Sequence, residues 1–153
     1  METEYFFIIF IYRCFKNHLK IILLNEEGNL VPVSLIDKKP FDFEKAKELF
    51  IKTTGVKQEN CFPSRFFEYF HRFSFEKKKI KYIVFTTSVR LLDEYKEDKN
   101  DFFRKGRWFS KEETFKVLGT NKLYRRAFLK EFSQDTFWEC LDTRKSQIKK
   151  NYT

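Results

Sequence analysis

The sequence predicts an α/β domain built around a mixed central sheet, and three observations carry that expectation. The run Tyr5 to Tyr12 (YFFIIFIY) is continuously apolar, as a strand covered on both faces must be. From Asp42 the apolar spacing lengthens to that of a helix, with Phe43, Ala46, Leu49 and Phe50 on one side. Ser110 and Glu113 then form an S-x-x-E capping box that opens a second helical region. At 153 residues, without an internal repeat or a Pro/Gly linker, one core is expected. A chain of this size buries roughly two-thirds of its unfolded surface without help from disulfides or metals.

The elements follow in order. Lys20 to Leu24 (KIILL) repeats the apolar pattern of the first strand, with Arg13 to Leu19 as the connection. Glu26-Glu27-Gly28-Asn29 is a turn before a short strand over Leu30 to Leu35. Asp42 is the expected N-cap of the first helix, and Lys45, Lys47, Glu48 and Lys52 lie off its apolar side. Gly55 supplies the left-handed residue that closes it. Phe66 to Phe75 (FFEYFHRFSF) reads as a strand, Lys77-Lys78-Lys79 as the tight basic link, and Ile80 to Leu92 as the longest strand. Asp93 to Asp101 is charged enough to be an exposed loop. The capped helix runs through Leu118 to Gly119. A last helix, Asn121 to Phe132, turns Leu123, Phe128, Leu129 and Phe132 inward and Arg125, Arg126 and Lys130 outward.

Composition narrows the class of partner. The 31 Lys and Arg against 22 Asp and Glu leave a net charge of +9, which favours a polyanion or an acidic surface. Mutational bias in an AT-rich genome yields the same excess, together with 21 Phe against one Met. Aromatics make up 20%, so the core must be built largely from rings. Cys14, Cys61 and Cys140 are odd in number, far apart and without a Cys-x-x-Cys pair, so reduced thiols and a cytoplasmic location are expected. Tyr5 to Tyr12 is too short to span a bilayer and has neither a basic region before it nor a small-residue cleavage site after it, so no membrane partner is expected. His18 and His71 lack ligands at zinc spacing, and there is no phosphate-cradling glycine loop or nucleophile elbow. No cofactor is expected.

Two segments resemble the Nudix hydrolase superfamily. Glu44 to Val56 (EKAKELFIKTTGV) resembles the Nudix helix, and Gly106 to Glu113 (GRWFSKEE) resembles the strand-to-helix corner downstream. Tyr82 to Tyr95, Arg107-Trp108-Phe109 and Lys116-Val117-Leu118 are most similar to the eukaryotic diphosphoinositol polyphosphate phosphohydrolases. The order and spacing of these pieces hold over residues 4 to 132. The resemblance implies a Nudix-like α/β/α sandwich over residues 1–135, with residues 136–153 as a basic C-terminal extension.

It also implies a chemistry that the residues do not support. The family signature, G-x5-E-x7-R-E-U-x-E-E-x-G-U with U bulky and apolar, ends on Gly55 and Val56 when laid without gaps. Its opening Gly then falls on Ser34, its first Glu on Pro40, its Arg on Glu48 and its next Glu on Leu49, while the metal-binding Glu pair falls on Lys52 and Thr53. A one-residue slip saves Glu48 as a carboxylate, but Ile51, Lys52 and Thr53 still supply no acidic pair. The usual loop glycines are replaced by Leu35, Ile36 and Asp37. Metal-assisted attack of water on a pyrophosphate needs clustered carboxylates to hold hard cations, and an ammonium at such a position repels them. The expectation is therefore a catalytically inactive Nudix-like protein with no catalytic residue and no metal ligand.

The expected partner is RNA or a ribonucleoprotein particle such as the ribosome, as for a dormancy-type factor. The candidate contacts are Lys77, Lys78 and Lys79; Arg104, Lys105 and Arg107; Arg125 and Arg126; and Arg144, Lys145, Lys149 and Lys150. Lys77 to Lys79 equally fit an ordinary solvated turn, and Arg104 to Arg107 a simple charged loop. Phe66, Phe67, Tyr69, Phe70, Phe73 and Phe75 could stack bases, though packing in a Phe-built core accounts for most of them. Two alternatives remain open. One is residual hydrolysis of diphosphoinositol polyphosphates, dinucleoside polyphosphates or capped RNA through Asp37, Asp42, Glu44 and Glu48. The other is a sensor that binds a nucleotide or inositol phosphate without cleaving it.

Overall fold

A computed structural model describes residues 2–16, 18–132 and Cys140. The chain opens as a hairpin of β1 (Glu2–Phe15) and β2 (His18–Glu26) that pairs only from Tyr12↔Ile21 to Phe15↔His18. Beyond Tyr12 the two strands fork. The opening is filled by β3 (Asn29–Val31), which pairs with β2, and β4 (Val33–Asp37), which pairs with β1. Pro32 lies between them and has no amide hydrogen for a ladder, so the single strand expected over Leu30 to Leu35 is split in two. At the tip of the β2–β3 turn Gly28 adopts φ 86°, a conformation that a side chain would resist.

After helix α1 (Phe43–Thr54) come β5 (Cys61–Phe62), β6 (His71–Lys77) and β7 (Ile80–Leu91). They are followed by α2 (Asp101–Arg104), β8 (Gly106–Phe109), α3 (Lys111–Val117) and α4 (Lys122–Phe132). β1 and β7 run parallel from Glu2↔Ile80 to Tyr12↔Arg90, whereas the other pairings are antiparallel, so the sheet is mixed. β6 closes one edge against β7 and β8 the opposite edge against β2.

The continuous apolarity of β1 follows from its place in this sheet. Phe7, Ile9 and Ile11 pack with Ala46, Phe50 and Val56 on the α1 side. Phe6, Ile8, Phe10 and Tyr12 pack with Leu118, Ala127 and Phe128 on the α3–α4 side. Each fully buried ring or branched chain contributes about 1.5–3 kcal/mol, so both cores draw on the same strand. Among the described residues, no helix is long and apolar enough to cross a membrane.

Three further expectations are corrected. Phe66 to Phe75 is not one strand: Phe66–Glu68 form a 3-10 turn and only His71–Lys77 pair. Phe66 and Phe67 are both buried against Phe50, with ring centroids 5.0 and 5.5 Å from it, and successive strand residues cannot face the same core. Leu129 is 43% exposed rather than inward, because it sits one helical step around from Phe128, which with Ala127 takes the buried stripe. The cysteines are not all reduced. Cys14 and Cys140 form a disulfide, with Cα atoms 5.5 Å apart across 126 residues of sequence, while Cys61 is a buried free thiol. Cys140 lies beside Cys14 near the end of β1, a long-range proximity that spacing does not reveal. Apart from Cys140, the expected extension over residues 136–153 lies outside the described residues.

Candidate functional site

Local chemistry fixes α1 at both ends. The Asp42 carboxylate accepts from the Lys45 amide at 2.6 Å, and the Gly55 amide donates to the Ile51 carbonyl at 2.8 Å with φ 73°. The Asn100 amide donates at 2.8 Å to the Thr54 carbonyl and so ties the charged loop to the helix end. Ala46, Phe50 and Thr54 are the buried stripe. Glu48, Lys52 and Thr53 are exposed, and Leu49 is half-buried.

Asp37, at the end of β4, is ion-paired with Lys45. The Lys45 ammonium hydrogen-bonded to Asp37, with the Lys39 amide at 3.1 Å, holds that carboxyl below its ordinary range. Ser34 lies on the opposite face of the sheet, its hydroxyl 3.4 Å from that of Tyr124. At the positions where the Nudix resemblance calls for clustered acids, α1 therefore offers the hydrocarbon of Leu49, the ammonium of Lys52 and the hydroxyl of Thr53, and the one-residue slip adds only the Glu48 carboxylate. Hard divalent cations take about six or more oxygen ligands, and this donor set does not fit them. Among the described residues, no three His, Cys, Asp or Glu side chains converge to hold a metal.

The basic candidates divide between the two sheet edges. Lys77 ends β6, and Lys78 and Lys79 form the β6–β7 turn, all three exposed. Arg126 reaches the same strand: its guanidinium donates to the Ser74 carbonyl at 3.0 Å and lies 4.5 Å from the Phe73 ring centroid. Arg125 points the other way along α4, 4.6 Å from the Phe115 ring. Arg104, Lys105 and Arg107 surround the start of β8, where Arg104 pairs with Asp101 at 3.3 Å and Arg107 lies 5.3 Å from the Phe109 ring. β6 and β8 are separated by β7, β1 and β2, roughly 19 Å at strand spacing. The two groups therefore do not merge. Arg144, Lys145, Lys149 and Lys150 lie outside the described residues.

Two open grooves are mixed in charge. One, of about 970 Å³, lies beside the β1–β2 hairpin and combines Lys16, His18, Lys20 and Lys96 with Asp93 and Glu97. The other, of about 1020 Å³, runs between the β6–β7 turn and the α3–α4 junction and combines Lys77 and Lys122 with Glu26, Glu27 and Glu76. The Tyr124 phenol lines it; burial pushes its pKa up, against the lowering effect of the hydrogen bond with Ser34.

Sequence reasoning missed two features. Glu131 on α4 is buried to 6% side-chain exposure, where it accepts from the Thr86 hydroxyl at 2.7 Å and meets His71 Nδ1 at 3.0 Å. Its only sequence signal is a lone acid on the inward edge of a helix. The second is the separation of the aromatic run: Phe66 and Phe67 are core, whereas Tyr69 is 66% exposed and Phe70 is 36% exposed, joined by Phe43 at 47%.

No protein-family model matches the sequence, and no curated protein matches it. Solved structures do. The crystal structure of Caenorhabditis elegans Ap4A hydrolase aligns over 86% of this chain and 96% of its own, with TM-score 0.60 and 15% identity. A binary complex of a C. elegans Ap4A hydrolase aligns over 84% and 94%, with TM-score 0.59 and 14% identity. A chain described as a NUDIX hydrolase from Listeria monocytogenes gives TM-score 0.46 at 12% identity over 81% and 88%. The α/β fold with a mixed sheet expected from the sequence is thus present and shared with the Ap4A hydrolase structures over most of both chains.

Proposed function

We propose that this chain is a Nudix-like binding protein that does not hydrolyse phosphoanhydrides and whose partner is RNA or a ribonucleoprotein particle such as the ribosome. The observation that carries this reading is the outer face of α1. Glu48, Lys52 and Thr53 stand exposed there, and the neighbouring carboxylate of Asp37 is already taken by Lys45. A cation cannot be held by that set, whereas the net charge of +9 favours a polyanion. The exposed lysines of the β6–β7 turn are the first contacts of the RNA backbone in this reading, and a role in ribosome dormancy is its most specific form.

Fluorescence anisotropy with a labelled RNA tests it. The affinity is expected to fall steeply as salt rises from about 50 to 200 mM, because each phosphate contact releases condensed counterions. An affinity independent of salt, or no binding, overturns the proposal. The chemistry has its own test. Lys52→Glu combined with Thr53→Glu is expected to create manganese binding that the natural sequence lacks, read by calorimetry.

A second reading is favoured by one observation, the fold shared with an Ap4A hydrolase: hydrolysis of dinucleoside polyphosphates or related phosphoanhydrides, with Glu48 as the acid retained. Turnover of diadenosine tetraphosphate in magnesium or manganese that Glu48→Gln abolishes would establish this reading in place of the first. Stabilisation by the same compound without any product would instead identify a nucleotide sensor.

A further inference from the structure

Phe43 and Phe70, two of the large apolar side chains exposed among the described residues, stand together, and the still more exposed Tyr69 immediately precedes Phe70. The Phe43 and Phe70 ring centroids are 5.6 Å apart, and Tyr69 follows directly from the 3-10 turn before β6. The cluster is rigidly seated. Phe70 packs edge-on against Phe85 at 5.2 Å and against Phe7 at 6.2 Å, and the Tyr69 carbonyl accepts from the buried Thr87 hydroxyl at 2.7 Å. Tyr69 has its backbone fixed and its ring two-thirds in solvent, which is the opposite of what core packing selects.

The charge around this cluster is mixed, with Asp42 and Glu44 flanking Phe43 and Glu68 preceding Tyr69, but a cation lies close to the rings. The Arg72 guanidinium lies 5.9 Å from the Phe85 ring that Phe70 touches, so a cation adjoins the aromatic surface. The Glu68 carboxylate beside Tyr69 is neutralised by Arg65 at 3.1 Å. From Phe70 the exposed edge strand β6 leads to Lys77, Lys78 and Lys79, roughly 24 Å away at the rise of an extended chain. Rings at one end, a guanidinium beside them and ammonium groups at the far end of one edge match an unpaired nucleic-acid strand. Its bases need flat apolar surfaces and its phosphates need cations. A duplex offers no free base faces to such rings, and an acidic protein surface has no use for them.

We infer that Tyr69, Phe70 and Phe43 form a stacking platform for the bases of single-stranded RNA, with Arg72 and the β6–β7 turn holding the backbone. The inference rests on the RNA-binding reading above and names the strand state and the surface.

The test is anisotropy titration of the full chain with a labelled single-stranded oligouridylate and with a duplex of equal length. Tyr69→Ala removes the most exposed ring with little effect on the fold, and Tyr69→Phe keeps a stacking face. The expected result is preference for the single strand, a loss of about tenfold or more in Tyr69→Ala, and near-natural affinity in Tyr69→Phe. Arg72→Gln is expected to weaken binding and flatten its salt dependence. If the natural chain binds no RNA, the function proposed above falls and takes the platform with it. If it binds RNA but Tyr69→Ala keeps its affinity, or the duplex is preferred, only the platform falls. A natural chain that sediments as a dimer and becomes monomeric in Tyr69→Ala assigns the cluster to self-association and overturns the inference.

Discussion

Replacing Lys78 by Asn and Lys79 by Gly separates folding from binding, because the two are expected to move in opposite directions. The β6–β7 hairpin closes through two residues that both carry positive φ, 50° at Lys78 and 67° at Lys79. Two-residue turns of this hand match the twist of the strands but favour Asn-Gly, since a side chain in the left-handed region costs roughly 1–2 kcal/mol. Two such residues store roughly 2–4 kcal/mol. Asn tolerates the conformation only in part, and Gly gives back about 0.5–1 kcal/mol through the freedom it gains in the unfolded chain. The net expectation is stabilisation by about 1–2 kcal/mol, hence a Tm increase of about 2–8 °C for a chain of this size.

The same double substitution removes two exposed ammonium groups. On a single strand each phosphate contact contributes about 0.7 to the slope of log affinity against log salt, so that slope should become shallower by about 1.4. Differential scanning fluorimetry and anisotropy at several salt concentrations read the two effects on the same samples. A variant that is stabilised while its RNA affinity and salt slope stay unchanged would show that Lys78 and Lys79 are an ordinary solvated turn. A fall in Tm would refute the strain argument itself.

Thr86→Val should cost about 1.5–3 kcal/mol in urea unfolding, because it removes the hydroxyl that donates to the buried Glu131 carboxylate and leaves a charge short of a partner. Burial pushes the Cys61 thiol up to about 12, so in the native oxidised chain no thiol should react quickly with a disulfide reagent. Adding a reductant should expose Cys14 and Cys140 but not Cys61, with a stability loss of about 2–5 kcal/mol; three thiols titrating together without reductant would contradict this. The Asp37 and Glu113 carboxyls are both held below their ordinary range, Asp37 chiefly by the Lys45 side chain and Glu113 chiefly by the Ser110 amide. Depressed carboxyls contribute stability that is present above their unfolded pKa, about 4, and lost as pH falls below it. Acid titration followed by circular dichroism should show Lys45→Met and Ser110→Ala losing part of that dependence.

What the sequence makes legible is what neighbouring residues determine among themselves. Asp42 and Gly55 bound α1 as expected, and Ser110 with Glu113 forms the capping box, because each device closes within three or four residues. β1 is legible for a different reason. Burial on both faces removes alternation, and continuous apolarity is the trace this leaves. The bond between Cys14 and Cys140 leaves no trace, and the descent of Glu131 onto Thr86 leaves only a lone acid on the inward edge of α4, since both depend on long-range packing. The aromatic run is an intermediate case. FFEYF shows that rings are present, but whether a given ring is core or surface turns on one 3-10 turn that puts Phe66 and Phe67 on the same side and leaves Tyr69 outside.

That division also explains how a fold can be kept while its chemistry changes. The residues that dock α1 on the sheet, Ala46, Phe50 and Thr54, recur at every fourth position, and those facing solvent, Glu48, Lys52 and Thr53, lie off that stripe. Substitutions on the outer face leave the buried contacts intact, so selection can replace carboxylates there at a cost of tenths of a kcal/mol per exposed site. Lys52 even gains a little, because a cation in the last turn opposes the negative end of the helix dipole. Sharing a fold with the Ap4A hydrolase structures therefore reports on the backbone and the buried stripe that docks α1, whereas the function proposed above turns on the outward face. Measurements on Glu48, Lys52 and Thr53 will decide between binding and hydrolysis where superposition of the backbone does not.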